Sequence, residues 1–329
     1  MIQNNLDIPW IEKHRPVNIS EIYTQNNIKQ VLESCIQNNN LPNLLLYGPP
    51  GTGKTSTITA MCRQLFGPIL IKSRTLILNA SDDRGINIVR EKIKQFANMT
   101  IGNNDSNYPS PHFKVIILDE ADNMTIDAQS ALRRIMETTA KTTRFCIICN
   151  NINKVIEPIS SRCAKFRFTP LNNENIEKKV NNILEKENIK LPDDLIKKVV
   201  DEGKGDARKV VNLIQCLSTY ENSKHDIYKL FNDITGNMDD AEFDKLLNKV
   251  FENNIFQVPK ITYNVIKKGY NIYKIMERII NYVLNSENIP DNNKSKIFLS
   301  MNDILKKYFD GCDEQFILVH ILIELKNIQ

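Results

Sequence analysis

The sequence predicts an α/β domain built on a parallel sheet and followed by helical regions. Continuous apolar runs with the length of buried strands occur at residues 43–47, 75–79, 114–118 and 144–148. Patterns typical of helices separate them, at residues 55–65, 86–97 and 127–137. Because strands and helices alternate, we expect a parallel sheet covered by helices on both faces.

After Pro170 the sequence has few patterns typical of strands, which suggests that the α/β domain ends there. The chain has 329 residues, a length that suits about two or three domains. We therefore predict an α/β domain at residues 1–170, a small helical lid at 171–234 and an all-helical C-terminal domain at 235–329. A helix start is expected at residues 191–194, and turns are expected near Gly269, Pro290 and Gly311.

Composition excludes several classes of protein. No apolar stretch approaches the about 20 residues needed to span a membrane, and the N-terminus has no pattern of a secretory leader. The net charge of +4 permits nucleic-acid binding without arguing for it. The 7 cysteines are odd in number and scattered, which favours reduced thiols. Cys146 and Cys149 lie in an apolar run, so we expect buried strand thiols rather than a zinc site.

A phosphate-binding loop follows the first predicted strand. The pattern G-x-x-x-x-G-K-[ST] is matched by Gly48, Pro49, Pro50, Gly51, Thr52, Gly53, Lys54 and Thr55. Glycines let the backbone turn its N–H groups toward phosphate oxygens, and the following helix N-terminus adds partial positive charge. Lys54 can reach the β- and γ-phosphates of ATP, and the Thr55 hydroxyl can ligate Mg²⁺. A chance match is the alternative, so a second element is needed.

Two carboxylates at the end of the third predicted strand supply that element. Asp119 and Glu120 follow the apolar residues 115–118. Asp119 can hold Mg²⁺, and Glu120 can polarise the attacking water. An acidic pair that merely caps a strand would leave the upstream phosphate loop unexplained. Together the two motifs predict an ATPase.

Three further polar residues have two interpretations each. Asn150 ends the fourth predicted strand and could orient the attacking water, or it could simply form a turn. Arg208 opens a helix of the predicted lid and could reach the phosphates, or it could be a solvated helix residue. Arg162, before the short predicted strand 165–168, could act on a neighbouring subunit's ATP, or it could be an ordinary surface arginine.

Six segments give the chain a family resemblance. They are residues 9–16 (Pro-Trp-Ile-Glu-Lys-His-Arg-Pro), 48–55, 79–86 (Asn-Ala-Ser-Asp-Asp-Arg-Gly-Ile), 119–122 (Asp-Glu-Ala-Asp), 129–134 (Gln-Ser-Ala-Leu-Arg-Arg) and 161–163 (Ser-Arg-Cys). With them the chain resembles the small subunits of replication factor C, the eukaryotic clamp loader, within the AAA+ superfamily. Residues 65–68 and 142–146 resemble the subunit type called the fourth in human and the second in yeast naming.

The resemblance implies roles for individual residues. Ile11 and Arg15 would lie near the nucleotide base. Asn150 would be sensor 1 and Arg208 sensor 2, while Arg162 would be an arginine finger acting in trans. Two positions depart from the family pattern: His14 stands where tyrosine is more usual, and Ala207 where methionine or leucine is usual. Neither removes a catalytic group.

The resemblance also implies an assembly and a cellular setting. The C-terminal helices would form a collar that joins this chain to other replication factor C subunits in a hetero-pentamer. That ring would bind a sliding clamp of PCNA type, open it, and place it at primer–template DNA in the nucleus. No membrane is involved.

Basic residues around the predicted helix 86–97 suggest a DNA-binding face. Arg90 and Lys94 are one turn apart and flank its apolar stripe, and Arg84 lies at its start. Basic side chains beside a helix N-terminus favour phosphate, and a ring of such helices could follow a duplex backbone without reading bases. A solvated charged face is the alternative, and the family resemblance favours DNA.

Three functions remain open from the sequence. The first is a subunit that hydrolyses ATP, which the intact residues Lys54, Thr55, Asp119 and Glu120 favour. The second is a scaffold subunit that binds ATP but hydrolyses it poorly. The third is another AAA+ DNA remodeller, which the segments 79–86 and 161–163 disfavour by resemblance.

Overall fold

The computed structural model describes two compact units of the chain. The described residues are 8–23, 26–80, 86–102, 105, 107–219, 226–287 and 289–327, apart from the side chains of residues 26 and 86–90. The first unit spans residues 1–221 and the second spans 222–329. The predicted boundaries at 170/171 and 234/235 stay predictions. Across the described residues, no helix combines the length and apolar character that crossing a bilayer requires.

A five-stranded parallel sheet forms the centre of the first unit. Its strands are β1 (Leu44–Tyr47), β2 (Thr75–Asn79), β3 (Lys114–Asp119), β4 (Thr143–Cys149) and β5 (Ala164–Arg167). They lie in the order β2-β3-β4-β1-β5, and every neighbouring pair is parallel. The prediction of a parallel α/β sheet is confirmed. Its three central strands are almost wholly buried, which explains why they read as continuous apolar runs.

Helices of the first unit cover both faces of this sheet. They are α2 (Asn26–Gln37), α3 (Lys54–Arg74), α4 (Ile86–Asn98), α5 (Ile126–Thr138) and α6 (Glu157–Ser160), and the short helix α1 (Trp10–Lys13) precedes them in the chain. One apolar core includes Ile58 of α3, and the other includes Ile93 of α4 and Leu132 of α5. The α3 span is interrupted at Gly67, whose φ of 69° lies in the left-handed region, just before Pro68.

Three further helices of the first unit form a small bundle after the sheet. They are α7 (Asn173–Glu187), α8 (Asp193–Gly203) and α9 (Ala207–Ser218), and each packs on the other two. The predicted helix start at 191–194 is confirmed, since α8 begins at Asp193. We refer to α7, α8 and α9 as the lid.

The described residues of the second unit are helical and enclose a core of their own. The helices are α10 (Ile227–Thr235), α11 (Asp240–Glu252), α12 (Val258–Lys267), α13 (Ile272–Asn285), α14 (Asp291–Phe309) and α15 (Glu314–Lys326). Their buried residues form one cluster that includes Val258, Ile279 and Leu318. The predicted turns are confirmed, because Gly269, Pro290 and Gly311 each lie between two helices.

The C-x-x-C spacing in β4 reflects buried thiols, as predicted. Cys146 and Cys149 are both buried. Burial raises the pKa of Cys149 to about 12 and that of Cys146 well above its ordinary value. Both thiols therefore stay protonated at neutral pH and unreactive as nucleophiles.

Lys114 is a buried lysine at the start of β3. Its side chain binds backbone carbonyl groups at the C-terminal end of α4. Its Nζ donates to the carbonyl oxygens of Phe96, Ala97 and Met99 at 2.5, 2.9 and 2.5 Å. These carbonyls lie in the last turn of the helix and just after it, where helical N–H partners run out, although that of Phe96 also accepts from the N–H of Met99 at 3.3 Å. Burial, with Arg74 nearby, lowers the pKa of Lys114. The ammonium thus supplies a charged donor to three carbonyls at the C-terminal end of α4.

Replacing Lys114 with methionine is expected to destabilise the first unit. The carbonyls lose their donor, so the free energy of unfolding should fall by about 2–3 kcal/mol. A urea titration measures this, followed by the fluorescence of Trp10, the single tryptophan of the chain. Lys72→Met, at an exposed position of α3, is the matched control. Equal midpoints for the two variants would contradict this account of Lys114.

Candidate active site

A cavity of about 230 Å³ lies where the central strands of the sheet end. Because the strands are parallel, the loops after β1, β3 and β4 meet at one edge. The cavity is lined by Trp10, Ile11, His14, Arg15, Pro16, Pro50, Gly51, Thr52, Gly53, Lys54, Thr55, Ser56, Asp119, Glu120, Asn150, Lys179, Ala207, Arg208 and Val211. Residues from six separate segments of the sequence therefore share one site.

The loop between β1 and α3 depends on glycine at two positions. Gly51 and Gly53 have φ values of 71° and 92°, a region that other residues rarely adopt. A Cβ on Gly51 would also lie 1.7 Å from Oδ1 of Asp206. The loop thus leads directly into the N-terminus of α3, which begins at Lys54. Such a loop and helix start form an anion-binding concavity.

The side chain of Lys54 is hydrogen-bonded to this loop and to the loop after β4. Its Nζ donates to the carbonyl oxygens of Gly48 and Pro49, each at 2.7 Å, and to Oδ1 of Asn150 at 3.1 Å. Gly48 and Pro49 do not line the cavity; their carbonyl groups position the lysine. Burial lowers the pKa of Lys54, and the nearby Asp119 carboxylate opposes that shift. An anion in the cavity would stabilise the charged ammonium.

Thr55 and Asp119 bring two oxygen atoms together at the centre of the site. The Thr55 hydroxyl donates to Oδ2 of Asp119 at 2.8 Å. Oδ1 of the same carboxylate accepts from the backbone N–H of Glu120 at 2.9 Å. A hydroxyl and a carboxylate this close, beside a phosphate loop, are hard oxygen ligands that fit Mg²⁺. These two residues would hold the ion and leave its other positions to phosphate and water.

Glu120 lines the cavity from an unusual backbone position. It directly follows β3 and has a φ of 54°, in the left-handed region that glutamate rarely adopts. Its Oε2 accepts from Nδ2 of Asn123 at 3.2 Å. The turn presents the carboxylate beside Asp119 and opposite the phosphate loop. A carboxylate so placed can accept a proton from an attacking water.

The backbone at Asn150 is hydrogen-bonded to a carboxylate whose role could not be predicted from the sequence. Oδ2 of Asp122 accepts from the backbone N–H groups of Asn150 and Asn151, both at 3.3 Å. The buried Gln129 braces the same loop, donating to the carbonyl of Lys154 at 2.9 Å. Asp122 and Gln129 belong to segments that carry the family resemblance. Only the structure brings them against the loop after β4.

The lid supplies the opposite wall of the cavity. Arg208 is the second residue of α9, and Asp206 caps this helix by accepting from the N–H groups of Arg208 and Lys209 at 2.8 and 3.2 Å. Lys179 of α7 also lines the cavity, and sequence analysis missed it. Burial lowers the pKa of Lys179, and nearby Asp206 opposes that shift. With Lys54 and Arg15 these cations favour a polyphosphate ligand.

The N-terminal segment forms the least polar part of the wall. Trp10, Ile11 and Pro16 line it together with Val211 of the lid. Arg15 is also at the cavity, and its Nη2 lies 2.8 Å from Oε1 of Glu12. An apolar end beside a cationic phosphate loop suits a ligand with a flat base and a charged tail.

Two protein families match the two halves of the chain. Residues 44–171 match the AAA family, described as the ATPase family associated with various cellular activities. Residues 238–323 match the replication factor C C-terminal domain. The first match covers the sheet and the phosphate loop, and the second covers most of the described second unit.

Relatives extend the likeness over nearly the whole chain. It is 41% identical to replication factor C subunit 2 of Schizosaccharomyces pombe, over 98% of this chain and 94% of that protein. It is 40% identical to human replication factor C subunit 4, over 95% of this chain and 86% of that protein. The chain belongs to the replication factor C family. It is therefore an AAA+ ATPase, a class of protein that binds nucleotide.

A solved structure agrees with the fold. The Holliday junction branch migration motor RuvB of Thermotoga maritima covers 78% of this chain with a TM-score of 0.53 and 13% identity. At that identity the likeness shows the fold alone. The motor's activity does not carry over to a replication factor C chain.

Arg162 lies outside the cavity of this replication factor C chain. It follows α6, in the turn that leads to β5. Its Nη2 lies 2.7 Å from Oε1 of Glu137, and its Nη1 donates to the carbonyl of Pro158 at 2.7 Å. The side chain is 42% exposed. Its role as a finger stays a prediction, and its position leaves it available to another chain.

The predicted DNA face consists of three basic residues on or beside α4. Arg84 and the side chain of Arg90 lie outside the described residues. Lys94 is exposed on α4, and Ile93 and Phe96 bury the opposite face of this helix, as the predicted apolar stripe requires. DNA contact by these three basic residues therefore stays a prediction.

Proposed function

We propose that this chain is an ATP-hydrolysing subunit of a hetero-pentameric clamp loader that opens a sliding clamp of PCNA type. It would load the clamp at primer–template junctions during DNA replication and repair in the nucleus. The observation that carries the proposal is the convergence of Lys54, the Thr55–Asp119 pair, Glu120 and Asn150 on one cavity. Family membership supplies the clamp-loading context.

Each group in the cavity has a task in this proposal. Lys54 and the loop N–H groups bind the β- and γ-phosphates; Thr55 and Asp119 would hold Mg²⁺, whose charge would stabilise the phosphates. Glu120 takes the proton of the attacking water. Asn150 orients that water from beside the phosphate loop, where its amide oxygen accepts from Lys54 at 3.1 Å.

Arg208 connects the lid to this chemistry. It lines the cavity from α9, opposite the phosphate loop. In the ATP state the γ-phosphate would bridge Arg208, Lys54 and a neighbour's finger. Hydrolysis removes that bridge, so the ring loosens its hold on clamp and DNA. If the dwell time of the complex on DNA were the same in every nucleotide state, this switch would be contradicted.

The second unit has an exterior suited to subunit contacts. Phe256, Phe309 and Phe316 are 87%, 74% and 73% exposed, and Leu299 is 72% exposed. Large apolar side chains on the surface of one chain favour burial against another. We infer that this unit is the collar that joins the chain to the other replication factor C subunits.

DNA binding is testable at the two arginines of the predicted face. Replacing Arg84 and Arg90 together with alanine removes two phosphate contacts, so the slope of log affinity for primed DNA against log salt should fall by about 2. A salt titration on the assembled complex measures this. Lys141→Ala, at an exposed turn before β4, is the control. An unchanged slope in the double variant would remove both residues from the DNA face.

The assembly itself is tested by native copurification. A tagged chain is isolated in ATP and Mg²⁺, and the copurifying proteins are identified by mass spectrometry. We expect four other AAA+ subunits, with a sliding clamp retained when ATP is present. Recovery of this chain alone, as a monomer or homo-oligomer, would leave an ATPase and remove the clamp-loader proposal.

A further inference from the structure

The N-terminal segment, residues 10–16, is attached to the lid and not to the sheet. Within the described residues, its tertiary hydrogen bonds and ion pairs go to α7 and α9. The backbone N–H of Trp10 donates to Oε1 of Gln215 in α9 at 3.0 Å, and α1 packs against α9. The first residues after this segment that belong to the core of the sheet are Ile19 and Ile22.

The strongest of these attachments converges on one carboxylate. Glu187 is the last residue of α7, and Lys13 Nζ lies 2.7 and 2.8 Å from its two oxygens. Nε2 of His14 lies 2.5 Å from Oε1 of the same carboxylate. The Trp10 and His14 rings meet edge to face, 6.1 Å apart. Glu187 thus holds two consecutive residues of the segment.

Burial makes this cluster stronger than an ordinary surface ion pair. The side chains of Glu187 and His14 are only 14% and 9% exposed. Burial alone would raise the pKa of Glu187, but hydrogen bonds from Lys13 and His14 bring it below its ordinary value. Exposed pairs contribute little, whereas a partly buried carboxylate with two partners loses much more when one side is removed.

The cluster lies directly behind the apolar part of the nucleotide cavity. Trp10, Ile11, His14, Arg15 and Pro16 line that cavity, but Lys13 and Glu187 do not. We propose that Glu187 is a positioning residue of the nucleotide site, which locks residues 10–16 onto the lid and so sets the affinity for ATP without touching it. This inference rests on the proposed assignment of the cavity as the ATP site.

The expected consequence is a loss of affinity with the chemistry intact. When Glu187 is replaced by alanine, the segment occupies its docked position only part of the time. The apparent dissociation constant rises in proportion, because affinity scales with the competent fraction. We expect ATP binding to weaken roughly tenfold if about one molecule in ten stays docked. Hydrolysis at saturating ATP should be unchanged, since Lys54, Glu120 and Asn150 do not contact Glu187.

The experiment combines ATP titration of the full chain with quenching of Trp10 by iodide. Trp10 is the single tryptophan and is buried, so its accessibility reports whether the segment is docked. Glu187→Ala and Glu187→Gln are compared with Glu185→Ala, which removes an exposed carboxylate from the same helix. In the assembled complex, the KM for ATP should rise for Glu187→Ala while kcat stays the same.

Two further variants distinguish the possible outcomes. One exchanges the two charges of the ion pair, and the other removes the lysine of the phosphate loop. Combining Lys13→Glu with Glu187→Lys should recover part of the affinity and of the Trp10 protection. Lys54→Ala is titrated in parallel. If Lys54→Ala abolishes ATP binding while Glu187→Ala and Glu187→Gln bind as tightly as wild type, the inference about Glu187 is wrong and the site assignment stands. If Lys54→Ala binds normally, the site assignment itself is wrong.

Discussion

Replacing Arg162 with alanine is expected to lower ATP hydrolysis at the neighbouring subunit's site by a factor of about 10³–10⁵. The guanidinium lies outside its own cavity and is held at the surface by Glu137. A cation delivered from there can stabilise charge on another chain's phosphates only after assembly. The measurement is single-turnover hydrolysis in a complex whose other nucleotide sites are disabled through their own phosphate-loop lysines.

Two companion variants make the Arg162 result specific. Arg162→Lys keeps the charge but loses the planar donor fork, so it should recover little activity. Lys141→Ala removes an exposed cation at the turn before β4 and should leave hydrolysis unchanged. ATP binding by the substituted chain should remain at the wild-type level. Normal hydrolysis with Arg162→Ala would show that this arginine is an ordinary surface residue.

Replacing Glu120 with glutamine is expected to slow hydrolysis at this chain's own site by a factor of about 10²–10⁴. Glutamine keeps the size of the side chain but cannot accept the proton of the attacking water. ATP affinity should be preserved, because Lys54, Thr55 and Asp119 are untouched. Single-turnover hydrolysis in the assembled complex measures the rate, and a binding titration measures the affinity.

The Glu120 experiment also separates a hydrolysing subunit from a scaffold. Glu174→Gln, at an exposed position near the start of α7, is the control. Equal rates for wild type and Glu120→Gln would mean that this site binds ATP without hydrolysing it. The chain would then act as a nucleotide-gated scaffold, and its contribution to clamp loading would be structural.

Features that are local in the sequence were predicted well. β1, β3 and β4 are buried on both faces, so each is a continuous apolar run that needs no knowledge of its neighbours. The phosphate loop is contiguous, and its glycines are required by the backbone itself. The strand order, in contrast, was found only in the structure, because apolar runs do not show which strand lies beside which.

Features that join distant residues could not be predicted. Glu187 lies 173 positions from His14, and neither residue has a local pattern that points to the other. In the sequence, Lys179 is one of several charged residues on an amphipathic helix. Only the folded structure shows that the lid brings it to the cavity beside the phosphate loop. Lys114 begins an apolar strand, and its three carbonyl acceptors lie 15 to 18 positions earlier in the sequence. The residue types were visible, but their partners were not.

The central claim, that ATP at this site drives clamp loading, is tested most directly by loading itself. The complete complex is mixed with a labelled clamp of PCNA type and primed circular DNA, and clamp retained on DNA is measured with ATP. We predict that loading requires ATP and falls to background when this chain carries Lys54→Ala, although the complex still assembles. Undiminished loading with Lys54→Ala, or by a complex lacking this chain, would contradict the account.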